Sequence, residues 1–247
     1  MLAYETHGTG EPLALVHGLA TTRVIWRRVL PYLDGRVITL DLPGFGESPP
    51  AGDGFMLEEV ADVIAAALAE PLDLVGHSLG GAVAIVLAER HPDLVRRLVL
   101  VAPAGLRSIP APAAWVAAVA AAGAIPLRRR AAPLADTPWG RRLLLATGTK
   151  DPVSLPPAEV RAMLKASAGA TRTREALESV ARAQLTERLG ALAMPVGAIW
   201  GAHDRIVPMP PLDLPVQVIE GAGHIPMMER PEAFARALVT TLKHRAV

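Results

Sequence analysis

The sequence predicts an α/β architecture: a mostly parallel central sheet with helices on both faces and a helical insertion between two late strands. Three observations lead there. Short runs at residues 13–16, 37–40, 72–75 and 98–101 are rich in Leu and β-branched residues and are bounded by Gly, Pro or Asp. Their apolar residues are largely consecutive, which suits strands buried on both faces as in a parallel sheet. Segments 24–33, 57–68 and 81–90 between them have the length and apolar spacing of crossover helices, giving a βαβ rhythm. That rhythm stops over residues 104–193 and resumes with strand-like runs at 196–200 and 216–219 and a final helix over 231–243, whose leading Pro231 suits a first helical turn.

The interrupted stretch carries Pro110, Pro112, Pro126, Pro133, Pro138, Pro152, Pro156 and Pro157 among Ala, Leu and Arg, with no strand-like run. Segments 1–103 and 194–247 therefore form the expected core, and 104–193 the expected insertion. Charge divides the same way: the insertion holds 13 Lys and Arg against 6 Asp and Glu, and the rest of the chain is acidic. Within it, residues 113–127 are nearly all apolar but too short for the ~20 residues of a spanning helix, so a helix packed over the core is expected there.

Composition closes off other classes. A chain of 247 residues that is 51% hydrophobic and 20% charged can bury one large core, which excludes a disordered or coiled-coil protein. A net charge of +1 gives no overall attraction for nucleic acid. The absence of Cys removes disulfides, thiol nucleophiles and thiolate metal sites. No basic stretch followed by an apolar one opens the chain, so a cytoplasmic protein without a membrane span is expected. No metal or cofactor is expected either, and oligomeric state is not legible.

The chemistry is carried by Gly76-His77-Ser78-Leu79-Gly80-Gly81, between a predicted strand and a predicted helix. A Ser hydroxyl is a weak nucleophile that needs a base, an exposed position and donors for the oxyanion it creates. In a G-x-S-x-G turn the Ser takes a strained backbone conformation above the sheet, while Gly76 and Gly80 carry no side chain to clash with neighbouring backbone. The Leu79 amide then opens the helix and points at developing negative charge. The bland alternative is a Gly-rich turn with an ordinary N-capping Ser78.

On these residues the chain resembles the α/β-hydrolase family, in its lidded serine esterase-like branch. The resemblance implies a chain order of nucleophile, acid and base. Among the 7 His, His224, in Gly221-Ala222-Gly223-His224, occupies the family's position for the base. Asp204, in Gly201-Ala202-His203-Asp204, occupies that of the acid, and the family's other acid position, Ala102-Pro103-Ala104-Gly105, has no carboxylate. The second oxyanion donor is expected at the Leu19 amide in His17-Gly18-Leu19. His17 is expected to hold that loop, His77 to shape the elbow, and Asp41 to make a turn near the site. Trp115, Trp139 and Ile225 are candidate substrate-binding residues.

The family hosts many reactions. Members with an Asp nucleophile are set aside by Ser78; Ile225, where carbon–carbon hydrolases usually carry an aromatic residue, and Leu19, where perhydrolases tend toward one, weigh against those two classes without removing them. The expected activity is hydrolysis of carboxylic esters through an acyl-enzyme on a Ser78-His224-Asp204 triad. Carbon–carbon hydrolase, lactonase, perhydrolase and triad-bearing ligand sensor are the alternatives. A small-molecule ester is the expected partner, with anionic and carrier-bound esters in view because of the lid's cations; solvated helix faces are the simpler account of those cations.

Overall fold

The computed structural model describes residues 1–68, 70–106, 127, 130–167 and 170–243. Seven strands, β1 (Tyr4–His7), β2 (Pro12–Val16), β3 (Arg36–Leu40), β4 (Leu72–His77), β5 (Val95–Val101), β6 (Val196–Gly201) and β7 (Val216–Ile219), form one sheet in the order β1-β3-β2-β4-β5-β6-β7. Every pairing is parallel except that of the edge strand β1 with β3, where Tyr4 faces Leu40 and His7 faces Val37.

Consecutive residues of each inner strand feed two different cores. Ala14, Val16, Ile38, Leu40, Leu74, Leu98, Leu100, Ala198 and Trp200 pack on one face with helices α1 (Leu57–Leu68) and α2 (Leu79–Arg90). Leu13, Leu15, Val37, Val75, Val99, Val101 and Ile199 pack on the other, with Trp26 and the C-terminal helix residues Phe234 and Leu238. Two-sided burial is why these strands are apolar at consecutive positions.

Two local differences from the sequence reading have physical causes. β1 was not anticipated: its Tyr-Glu-Thr-His run is mostly exposed at the sheet edge and offers no apolar pattern to read. Segment 24–33, expected as a crossover helix, forms two 3₁₀ turns instead, Arg23–Trp26 and Leu30–Tyr32. Pro31 has no N–H to donate back to Arg27, and its ring opposes a continuous α-helix. The expected helix at 81–90 begins at Leu79, and α2 is buried on all sides from Leu79 to Ala88.

Between β5 and β6 the described residues hold a 3₁₀ turn (Ala132–Asp136) and helices α3 (Pro138–Leu145), α4 (Pro157–Ser167), α5 (Thr173–Arg182) and α6 (Leu185–Gly190), with no strand. Most of segment 113–127, including Trp115, lies outside the described residues. No described helix is long and apolar enough to cross a membrane. After β7 come α7 (Pro226–Glu229) and α8 (Pro231–Lys243).

Candidate active site

The loops leaving β2, β4, β6 and β7 emerge at the carboxyl edge of the sheet, where open α/β sheets place their ligands. They carry His17 to Leu19, Ser78, Asp204 and His224 respectively.

Ser78 sits between β4 and α2 with φ 53° and ψ −115°, a conformation that costs of order 1–3 kcal/mol for a non-glycine residue. Its backbone is strapped from both sides. The Ser78 N–H donates to Val101 O (2.9 Å), and Ser78 O accepts from Gly81 N (2.9 Å) and Ala104 N (3.0 Å). The side chain makes no capping bond to α2, so this is not an ordinary N-cap serine. A Cβ on Gly76 would lie 2.4 Å from Gly80 O, and one on Gly80 would lie 2.4 Å from His17 O, so both positions exclude any side chain. The Leu79 and Leu19 amides make no hydrogen bond among the described residues.

Asp204 and His224 are brought together by β6 and β7, which are parallel neighbours. His224 Nδ1 and Asp204 Oδ2 are 2.8 Å apart, and the carboxylate acceptor places the imidazole proton on Nδ1. The other carboxylate oxygen, Oδ1, accepts from the Ile206 N–H (2.8 Å) and the Val207 N–H (2.9 Å), which fixes the group's orientation. Trp200 Nε1–H donates to Val207 O (2.8 Å) and pins the acid loop to β6.

His77, next to Ser78 in the chain, lies beside the His224 ring with centroids 4.7 Å apart, and its Nε2–H donates to His224 O (2.8 Å). Burial and the neighbouring His224 hold His77 well below the usual imidazole range, so it is neutral. A Cβ on Gly18 would fall 2.8 Å from His77 Nδ1 and 3.0 Å from Ser78 Cβ, which sets the Gly18-Leu19 backbone directly against the elbow.

His17 is fully buried under this loop. Its Nδ1–H donates to Gly18 O (2.8 Å) and its Nε2 accepts from the Leu42 N–H (2.9 Å), a pattern only the neutral Nδ1–H tautomer satisfies. Burial pushes its pKa down to about 4. Asp41 accepts from the Arg23 N–H (2.8 Å), the Glu47 N–H (3.0 Å) and the Arg23 guanidinium, closing the 41–48 turn beside the site.

The His17 arrangement yields an acid-stability prediction. Its folded-state pKa lies below the unfolded value, so between pH ~6.5 and pH ~4 the unfolded chain binds more protons and stability is lost as pH falls. The loss reaches about 3 kcal/mol at pH 4 for this group alone. Urea melts at pH 7, 5.5 and 4 are expected to show a shallower decline for His17→Gln than for the parent. Parallel declines would remove His17 as the cause.

The remaining sequence candidates are less central. Ile225 is buried in the apolar cluster under α8. Trp139 stands 63% exposed on α3 and forms no ring contact with the site. Glu229, which the sequence reading missed, accepts a hydrogen bond from the amide preceding His224. Among the described residues no group of three His, Asp or Glu could hold a metal ion.

A seven-stranded sheet with a strained serine at the strand–helix junction and an Asp–His pair on the following loops defines a class, and the family comparison agrees: residues 13–237 match the model of the alpha/beta hydrolase family. The chain belongs to that family. It is 33% identical to a pimeloyl-[acyl-carrier protein] methyl ester esterase of Neisseria meningitidis, over 90% of this chain and 73% of that one. It is likewise 33% identical to the enzyme of that name from Methylococcus capsulatus, over 96% of both chains. A thermophilic esterase from Thermogutta terrifontis superposes with a TM-score of 0.73 at 28% identity, covering 98% of this chain and 93% of the other.

Proposed function

We propose that the chain is a serine hydrolase cleaving carboxylic esters, with Ser78 as nucleophile, His224 as base and Asp204 as its partner. The observation that carries the reading is the Asp204–His224 bond, which leaves the lone pair of a neutral imidazole on Nε2, on a loop held against the elbow by His77. Ser78 Oγ attacks the acyl carbon as its proton passes to His224 Nε2. The carbonyl oxygen, now negative, takes hydrogen bonds from the Leu79 and Leu19 amides, which have no competing partner among the described residues. Collapse breaks the ester bond, and His224 hands its proton to the departing alkoxide. Water then attacks the acyl-enzyme, His224 takes its proton, and expulsion of Ser78 releases the acid and restores the hydroxyl.

The substrate class we propose is a methyl or other small alkyl ester of an acyl chain carried on an acidic carrier protein, with the helices between β5 and β6 serving as a lid. The relatives named above support this, as does the basic insertion. Many lid cations are spent internally: Arg161 pairs with Asp136, Arg172 with Glu175, Arg174 and Arg182 with Glu178, and Arg188 with Glu58 and Glu89. Arg141 is buried, donating to Ala135 O (2.8 Å) and Val153 O (3.4 Å). Among the described residues of the insertion, exposed Arg130, Arg142, Lys150 and Lys165 make no ion pair to a described residue and are available to a partner.

Two substrates test the reading: a p-nitrophenyl ester series of graded chain length and an acyl-carrier-bound methyl ester, each with Ser78→Ala as control. Turnover of both by the parent is expected. The carrier substrate's kcat/KM should fall at least tenfold between 50 and 500 mM salt while that of the neutral ester stays flat. A flat response for both would remove carrier docking and leave the esterase. Labelling of Ser78 without turnover of any ester would replace the enzyme with a ligand sensor.

A further inference from the structure

Glu229 is an almost fully buried carboxylate, 4% exposed, on the short helix α7 that follows His224. Its two oxygens face different parts of the molecule. Oε1 accepts from the Gly223 N–H (2.7 Å), and Oε2 accepts from the Lys150 N–H (2.7 Å) and, more weakly, the Asp151 N–H (3.4 Å). Gly223 immediately precedes His224; Lys150 and Asp151 follow α3 in the insertion. The contact is doubled, because the His224 N–H donates to Gly148 O (2.9 Å). A Cβ on Gly223 would lie 2.9 Å from Gly148 O and 3.0 Å from Thr149 Cα, so the two backbones meet with no room between them.

We infer that Glu229 is a positioning residue for His224, clamping the loop that carries the base to the 148–151 segment of the insertion, so that the seating of the insertion sets the placement of the imidazole. The inference rests on the reading of His224 as base.

The held groups form a set. Asp204 fixes the His224 ring, His77 its carbonyl, Gly148 its amide and Glu229 the amide before it. The last two run to the insertion, a separate part of the chain from the strands that deliver the loop. The cost of burying this carboxylate is visible in its pKa, which burial raises against the lowering effect of the three amides. A side chain accepting at both ends is required. Gln at 229 keeps one acceptor and turns an N–H toward a backbone N–H at the other end, and Ala leaves three donors without partners.

The test compares the parent with Glu229→Gln and Glu229→Ala, with Glu232→Gln as control, since Glu232 is an exposed carboxylate on α8 paired with Arg236. For Glu229→Gln, kcat on a p-nitrophenyl ester is expected to fall roughly 10- to 100-fold with KM within twofold, the size of effect a displacement of about 1 Å produces. The rate at which paraoxon phosphorylates Ser78 should fall by the same factor. Glu229→Ala should lose more and Glu232→Gln nothing. Circular dichroism melts separate this from unfolding, because a purely structural role would lower the melting temperature while leaving kcat per folded molecule unchanged. That outcome, or Glu229→Gln within twofold of the parent, overturns the inference.

A measurement on the parent needs no variant. Hydrogen exchange of the Gly223 and Lys150 amides is expected to be slowed to the same extent, as one clamp opening exposes both. Protection differing more than 100-fold would also overturn it. Activity retained by Ser78→Ala would instead defeat the reading of the site, whereas a dead Ser78→Ala beside an unaffected Glu229→Gln defeats only the clamp.

Discussion

Ser78→Ala is expected to turn over a p-nitrophenyl ester about a millionfold more slowly than the parent, and His224→Ala by about the same factor. The two losses should not multiply in the double variant, because the hydroxyl without its base and the base without its hydroxyl are each idle. What survives is the residual acceleration from the Leu19 and Leu79 amides and from binding, roughly 10³- to 10⁴-fold over water. The substitution should leave the fold intact. Ala at 78 still has to adopt φ near 53°, but the strapping bonds of the Ser78 backbone to Val101, Gly81 and Ala104 do not involve the side chain. The measurement is kcat by burst-free steady state on protein whose melting curve matches the parent's. A Ser78→Ala protein within tenfold of the parent would end the proposed mechanism.

Asp204→Asn carries the next largest expected effect, about 10⁴-fold in kcat, by the tautomer argument known from serine protease triads. In this chain the argument has a local basis. Oδ1 accepts from the Ile206 and Val207 amides, so an Asn at 204 keeps its carbonyl oxygen there and turns its NH₂ toward His224 Nδ1. Nδ1 must then accept, the imidazole proton moves to Nε2, and the atom meant to take the Ser78 proton is already occupied. Asp204→Ala removes the orienting partner and the countercharge without imposing the wrong tautomer. The two variants should therefore both be strongly impaired with near-parental fold. Turnover of Asp204→Asn within tenfold of the parent would show that this carboxylate does not direct the base.

Legibility of the fold followed burial. The runs that became β2 to β6 could be read because each inner strand divides its residues between two apolar cores, leaving a continuous signature in the chain. The helices at Leu57–Leu68 and Pro231–Lys243 were readable, since each carries one apolar face and one solvated one. β1 was not, because an exposed edge strand owes its existence to the unpaired groups of β3 rather than to its own residues. The turns at 23–32 went astray because apolar spacing suggested a helix that Pro31 forbids. In the candidate site, Ser78 was announced by the glycines around it, since a Cβ on Gly76 or Gly80 would meet a backbone oxygen at 2.4 Å. Nothing comparable marked Glu229, whose donors Lys150 and Asp151 lie 79 and 78 residues away in the chain.

The amino-acid order by itself determined the layered, mostly parallel sheet, because that follows from local burial pattern, while its turn chemistry and family resemblance singled out Ser78, Asp204 and His224 as candidates. Only the tertiary structure showed that the Asp204–His224 pair implied by the resemblance closes at 2.8 Å, and that Glu229 joins the loop carrying His224 to residues 148–151 between β5 and β6. Hydrogen bonds between distant loops depend on how strands β6 and β7 register and how the insertion folds back, and no short stretch of sequence encodes either.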